Sequence, residues 1–162
     1  MPVGIMCFKG LDLHLDDIKE LIEKSPDTKV ILDHFGFTQV NDEKGDSNFE
    51  NLLKLEKYPN VYIKISALFR VAPSSASPKY PYDEVKTKRF EPLLNAFGAN
   101  RLMFGTDFPF VLETENGYKG AVDVVSSWME KEEDKVMVMG GTAQQLFGVW
   151  GDSSSSTIMS NE

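Results

Sequence analysis

Four short apolar runs recur along the chain about 30 residues apart, each followed by a stretch with helical periodicity, the signature of successive β/α units. Val3 to Phe8 is almost continuously apolar and predicts a short strand covered on both faces. Lys29 to Gly36 is β-branched and apolar before it closes on Asp33, His34 and Gly36. Val61 to Ala67 alternates, with Val61, Ile63 and Ile65 on one face and Tyr62, Lys64 and Ser66 on the other. Lys64 is out of place in such a strand and requires a carboxylate partner or a route to water. The fourth run, Leu102 to Phe104, leads through Gly105 and Thr106 to Asp107, and Pro109 then ends regular structure.

Between these runs, Leu15, Ile18, Leu21 and Ile22 recur at helical spacing, with acids early and Lys24 late, as the helix dipole favours. A second helix carries Phe49, Leu52, Leu53 and Leu55, with Ser47 or Asn48 as its expected cap. Residues 37–47 form a polar loop long enough to reach over a site. The connection from Leu68 to Tyr82 is rich in proline and serine and is long for a β-to-α link, which marks a candidate lid. A helix follows from Tyr82 to Ala96, with Pro92 either kinking it or opening a second segment. Tyr118 to Glu130 predicts another helix, and Glu133 to Met139 a helical turn. Thr142 is the expected cap of a last helix over Ala143 to Phe147. The fold class is α/β, with parallel strands and right-handed links. One domain spans residues 1–150, and a polar tail, 151–162, is expected to be disordered.

Size and charge narrow the choice. A chain of 162 residues can build one sizeable core, whereas a complete eight-stranded α/β barrel takes about 250. Seventeen Lys and Arg against 25 Asp and Glu give a net charge of -8. No basic stripe is present to neutralise phosphates, so nucleic acid and anionic membrane surfaces are unsuitable partners. A small anionic substrate remains compatible, because local potential differs from net charge. The single cysteine, Cys7, rules out an internal disulfide and fits the cytoplasm or another reducing soluble compartment. No apolar run is long enough to span a membrane, and the opening residues lack the basic region of a signal peptide.

Parallel sheets gather chemistry at the C-terminal ends of their strands. Those positions hold Lys9, the Asp33-His34 pair, Ser66-Ala67 with Arg70 beyond them, and Thr106-Asp107. An imidazole and a carboxylate meeting there can bind a divalent metal or move a proton. His34 fits both roles, and also that of a structural loop residue; Asp107 fits a site acid or a turn cap. Lys9 and Arg70 are candidate anion-binding residues or solvated edge charges. His14 reads as structural and Cys7 as core. No phosphate loop, dinucleotide fingerprint, zinc-protease helix or serine nucleophile elbow occurs.

Three segments occur in a suggestive order: Ile31-Leu32-Asp33-His34-Phe35-Gly36, Arg101-Leu102-Met103-Phe104-Gly105-Thr106-Asp107-Phe108-Pro109-Phe110, and Gly140-Gly141-Thr142-Ala143-Gln144-Gln145-Leu146-Phe147-Gly148. Together they resemble the C-terminal half of amidohydrolase-related proteins, metal-dependent hydrolases and decarboxylases of small organic acids and lactones. The resemblance extends from Val3 to Val149 and implies a distorted (β/α)8 barrel whose strands five to eight are the four seen here. Such a half-barrel is open to completion by a second copy or by a missing N-terminal half. By resemblance, Asp107 matches the metal-ligating aspartate after strand eight, and His34 the histidine after strand six that serves proton transfer or substrate activation. The first-strand H-x-H has no counterpart, and Cys7, Phe8 and Lys9 stand near the position of the fifth-strand histidine. The implied divalent metal, zinc before others, belongs to the complete family site, which leaves open whether this chain holds any. The expectation is a metal-dependent hydrolase half that is weakly active or inactive alone. The alternative is a non-catalytic interaction or assembly domain derived from the same barrel.

Overall fold

A computed structural model describes residues 1–76 and 79–148. The expected tail, 151–162, and the last two residues of the expected domain lie outside them. The four strands are β1 (Val3–Ile5), β2 (Val30–Leu32), β3 (Val61–Ile65) and β4 (Leu102–Phe104). They form one parallel sheet in the order β1-β2-β3-β4. Strand order equal to chain order means every crossover steps in the same direction. That is the order of a barrel segment; a doubly wound open sheet reverses at its switch point. In register, Val30 lies between Val3 and Val61, and Ile63 between Leu32 and Leu102.

The connections are helical. α1 (Leu15–Lys24) follows β1, and α2 (Glu43–Leu53) follows β2. After β3 come the single turn α3 (Leu68–Val71), then α4 (Asp83–Val85) and α5 (Glu91–Phe97), joined by a π-helical turn over Lys86–Phe90. That turn ends just before Pro92, which lies in the first turn of α5 and has no N–H to donate backwards, so the wider π spacing absorbs the defect. After β4 come α6 (Gly117–Ser127), α7 (Glu132–Val136) and α8 (Thr142–Phe147). Among the described residues no helix is long and apolar enough to cross a membrane.

The predicted alternation in β3 is present. Val61, Ile63 and Ile65 are fully buried with Val30, Leu32 and Leu102, and pack against Ile18 and Ile22 of α1, Leu52 of α2, Leu93 of α5 and Val124 and Val125 of α6. Burying each such side chain contributes about 1.5–3 kcal/mol, so this helix-facing layer is the main source of stability. Tyr62 and Lys64 project from the opposite face, in register with Ile31 and Met103 respectively.

Several local expectations change, among them the loop expected over 37–47, whose last residues belong to α2. β1 is shorter than Val3 to Phe8 and is not covered on both faces: Val3 is 38% exposed, and Phe8, beyond the strand, 67%; among the described residues β1 pairs only with β2. The cap of α2 is Asp42, whose carboxylate accepts from the Gly45 N–H at 2.8 Å. The expected cap Asn48 is instead buried and pairs with Asp12, accepting from its backbone N–H at 2.8 Å and donating to its carboxylate at 3.1 Å. The connection after β3 is not all loop, since α3 opens it. Thr142 does not cap α8: its buried hydroxyl donates to the Ala99 carbonyl at 3.0 Å, and a π-helical turn over Met137–Gly141 runs into the helix.

Candidate functional site

Each of β2, β3 and β4 is followed by a residue in the left-handed region: His34 (φ 55°), Ala67 (φ 54°) and Asp107 (φ 64°). After β2 the left-handed run is four residues long, continuing through Phe35, Gly36 and Phe37. Such a conformation costs an L-residue roughly 1–2 kcal/mol, so packing has to hold it. Phe35 is anchored in the core with no exposed surface. The Gly36 N–H donates to the Asp33 carbonyl at 2.9 Å, and the Thr38 hydroxyl to the Phe35 carbonyl at 2.8 Å. The exit of the turn is clamped by Arg89, which donates to the carbonyls of Thr38 and Gln39 at 2.8 Å each and pairs with Asp46. Arg89 is itself only 3% exposed.

These turns bring the strand-end residues together. His34 Nδ1 lies 2.7 Å from Ser66 Oγ, and His34 Nε2 lies 3.6 Å from Asp107 Oδ1. The other Asp107 oxygen, Oδ2, accepts from Arg70 Nε at 3.1 Å. Arg70 stands on α3 with its guanidinium over the rings of Phe69 and Phe110, at 5.1 and 4.9 Å from their centroids. The His34 ring meets the Phe37 ring edge-on at 5.0 Å. The His34 and Asp107 side chains are almost covered, whereas Arg70 retains about a third of its exposure.

Lys64 finds the partner its strand position demands. Its ammonium lies 3.2 Å from Asp33 Oδ1 and remains partly open to water. Gly105 leaves room for the lysine in this position: a Cβ there would come within 2.9 Å of Lys64 Cε, and the side chain would have to shift. The site therefore carries two carboxylates, Asp33 and Asp107, each matched by a cation. Burial holds the His34 imidazole below its ordinary proton affinity; Asp107 and Asp33 pull it upward, and Lys64 and Arg70 push it down. The outcome is a largely neutral ring beside a carboxylate.

The structure brings His34, Asp107 and Arg70 together and leaves Lys9 apart. Lys9 lies in the exposed turn after β1; its carbonyl accepts from Lys44 Nζ at 3.1 Å, and its side chain makes no ion pair among the described residues. His14 is exposed just before α1. Cys7 is fully buried, and its thiol is pushed up to about 11 by burial and by the nearby Asp33 carboxylate, so it is no thiolate nucleophile at neutral pH. Ser66 was placed at a strand end by the sequence without a role, and the sequence asked a carboxylate partner or water of Lys64 without naming Asp33. The signal for the pair was present in Lys64 itself, a charge inside an apolar strand.

A metal is a poor match for the residues present. Among the described residues no three His, Cys, Asp or Glu side chains converge, whereas a catalytic zinc takes three protein ligands. Asp107 also already has a guanidinium on one oxygen. The described residues do not furnish the donor set.

The model of the amidohydrolase family matches residues 5–149. No curated protein sequence matches the chain. Among solved structures, an amidohydrolase from Burkholderia multivorans with bound HEPES superposes with a TM-score of 0.71 at 23% identity, over 89% of this chain and 51% of that one. The Burkholderia multivorans amidohydrolase with bound zinc gives a TM-score of 0.70 at 24% identity, over 89% and 50%. A Pseudomonas putida protein, described as a candidate 2-pyrone-4,6-dicarboxylic acid hydrolase, gives 0.66 at 24% identity, over 91% and 50%. The chain thus spans about half the length of these structures, and its four strands correspond to half of their barrel. With a family match over nearly the whole described chain and a sheet in barrel order, this protein belongs to the amidohydrolase family.

Proposed function

We propose that this chain supplies the acid–base half of a hydrolytic site for a small carboxylate-bearing lactone or related organic acid. The observation that carries the reading is Asp107 held between His34 and Arg70 at the strand ends. In this reading Asp107 takes a proton from the attacking water, and His34 donates to the substrate oxygen that gains charge. Arg70 and Lys64 draw the substrate's carboxylate; Arg70 is the more exposed to solvent of the two groups that contact Asp107. Lys9, apart from these groups in the exposed turn after β1, acts by steering alone. A divalent ion such as zinc belongs to this reading only where ligands come from outside the chain, and no step here depends on it. The same half-site with no chemistry would be an assembly domain, the second reading.

Two measurements separate these. Titration with 2-pyrone-4,6-dicarboxylate, the compound in the Pseudomonas description, should perturb the His34 and Arg70 resonances, and Arg70→Ala should weaken binding about tenfold, as loss of one charged hydrogen bond implies. Turnover by the chain alone should stay at background. Absence of any carboxylate binding counts against the hydrolase reading and for the assembly domain. Zinc-dependent hydrolysis by the pure chain, abolished in Asp107→Asn, would show that the site is complete without a second half.

A further inference from the structure

Ser66 is buried without exposed surface, and its hydroxyl has one hydrogen-bond partner among the described residues, His34 Nδ1 at 2.7 Å. The opposite ring nitrogen, Nε2, faces the carboxylate of Asp107 at 3.6 Å. A carboxylate paired with a guanidinium can only accept, so favourable contact with it requires a proton on Nε2. A neutral imidazole has one N–H. With that proton on Nε2, Nδ1 is a bare acceptor, and the Ser66 hydroxyl is placed to donate to it. We infer that Ser66 is a positioning residue that fixes the tautomer of His34, holding the Nε2–H toward Asp107 and the strand-end cleft.

The geometry is built by β3. Ser66 directly follows the strand on the face that also carries Tyr62 and Lys64, and Ala67 then turns left-handed, so the Ser66 side chain stays beneath the imidazole. An alanine there would be buried as well but would leave Nδ1 without its donor. The consequence divides labour between the two groups: His34 enters any reaction as a donor through Nε2, and the base is Asp107. Only this consequence rests on the hydrolase reading; the tautomer rests on the two contacts and on the neutrality of the buried ring.

The test therefore needs no turnover. The chain contains two histidines, so 15N-histidine labelling gives a simple long-range proton–nitrogen spectrum, with His34→Gln assigning the signals. At neutral pH, His34 is expected to show a protonated Nε2 and a bare Nδ1 shifted in the manner of a hydrogen-bond acceptor. In Ser66→Ala the Nδ1 resonance should move, either to that of an unbonded bare nitrogen or to an average of two tautomers. A protonated Nδ1 in the wild type, or an Nδ1 signal that Ser66→Ala leaves in place, overturns the inference. Should Ser66→Ala fail to fold, the wild-type spectrum alone decides. A confirmed tautomer together with absent carboxylate binding would retire the hydrolase reading and keep this one.

Discussion

Burial sets the proton affinity of His34 more than any neighbouring charge does, and this gives the fold a pH dependence of known sign. In the unfolded chain the imidazole returns to its ordinary value of 6.5, while in the folded state it lies lower. Above the unfolded value both states are neutral at this site, and it contributes no slope. As pH falls below about 6.5, the unfolded chain takes up a proton that the folded one refuses, so stability declines until the folded value is passed. The limiting slope is about 1.4 kcal/mol per pH unit. Urea unfolding from about pH 7.5 to about pH 5 should show the wild type losing more stability than His34→Gln. Identical pH profiles for the two proteins would contradict a neutral buried ring.

The start of α2 offers a sharper test of packing, because local preference and tertiary contact disagree there. Alanine is favoured over glycine in a helix by about 1 kcal/mol. Yet a Cβ at Gly45 would lie 2.1 Å from the Gln39 carbonyl oxygen and 2.8 Å from its nitrogen, both backbone atoms that cannot step aside. Gly45→Ala is therefore expected to destabilise the chain by about 1–3 kcal/mol in denaturant unfolding; a stabilised variant would mean the loop and helix do not approach so closely. The same conflict explains what could be read from sequence. Strand runs and helix periodicity are local, so the four strands and the strand-end positions of His34 and Asp107 were legible, while the side-by-side order of the strands was not local and followed only from the family resemblance. Ser66 was legible as a position and not as a partner, because its distance to His34 depends on two turns meeting. Asn48 looks like a cap until the loop before α1 is known to lie against it. Nothing in the charge run from Lys86 to Arg89 distinguishes the one guanidinium that is buried.

Two sheet edges define how the whole molecule meets others. Among the described residues β1 pairs only with β2 and β4 only with β3, and Val3, Met6 and Phe8 expose apolar surface beside the first edge. Unpaired edges next to apolar surface promote association. We propose that a second copy of this chain takes that position when no complementary half is present. Sedimentation at high protein concentration should then show dimers or larger species, and Val3→Lys, which places a charge on the edge, should shift the distribution toward monomer. A strictly monomeric wild type would remove self-completion. The clamp made by Arg89 has a consequence for how the protein is made. During synthesis, Thr38 and Gln39 leave the ribosome 51 and 50 residues ahead of the side chain that binds their carbonyls. The turn carrying His34 therefore waits, with two backbone oxygens unpaired by protein, until the third β/α unit has emerged.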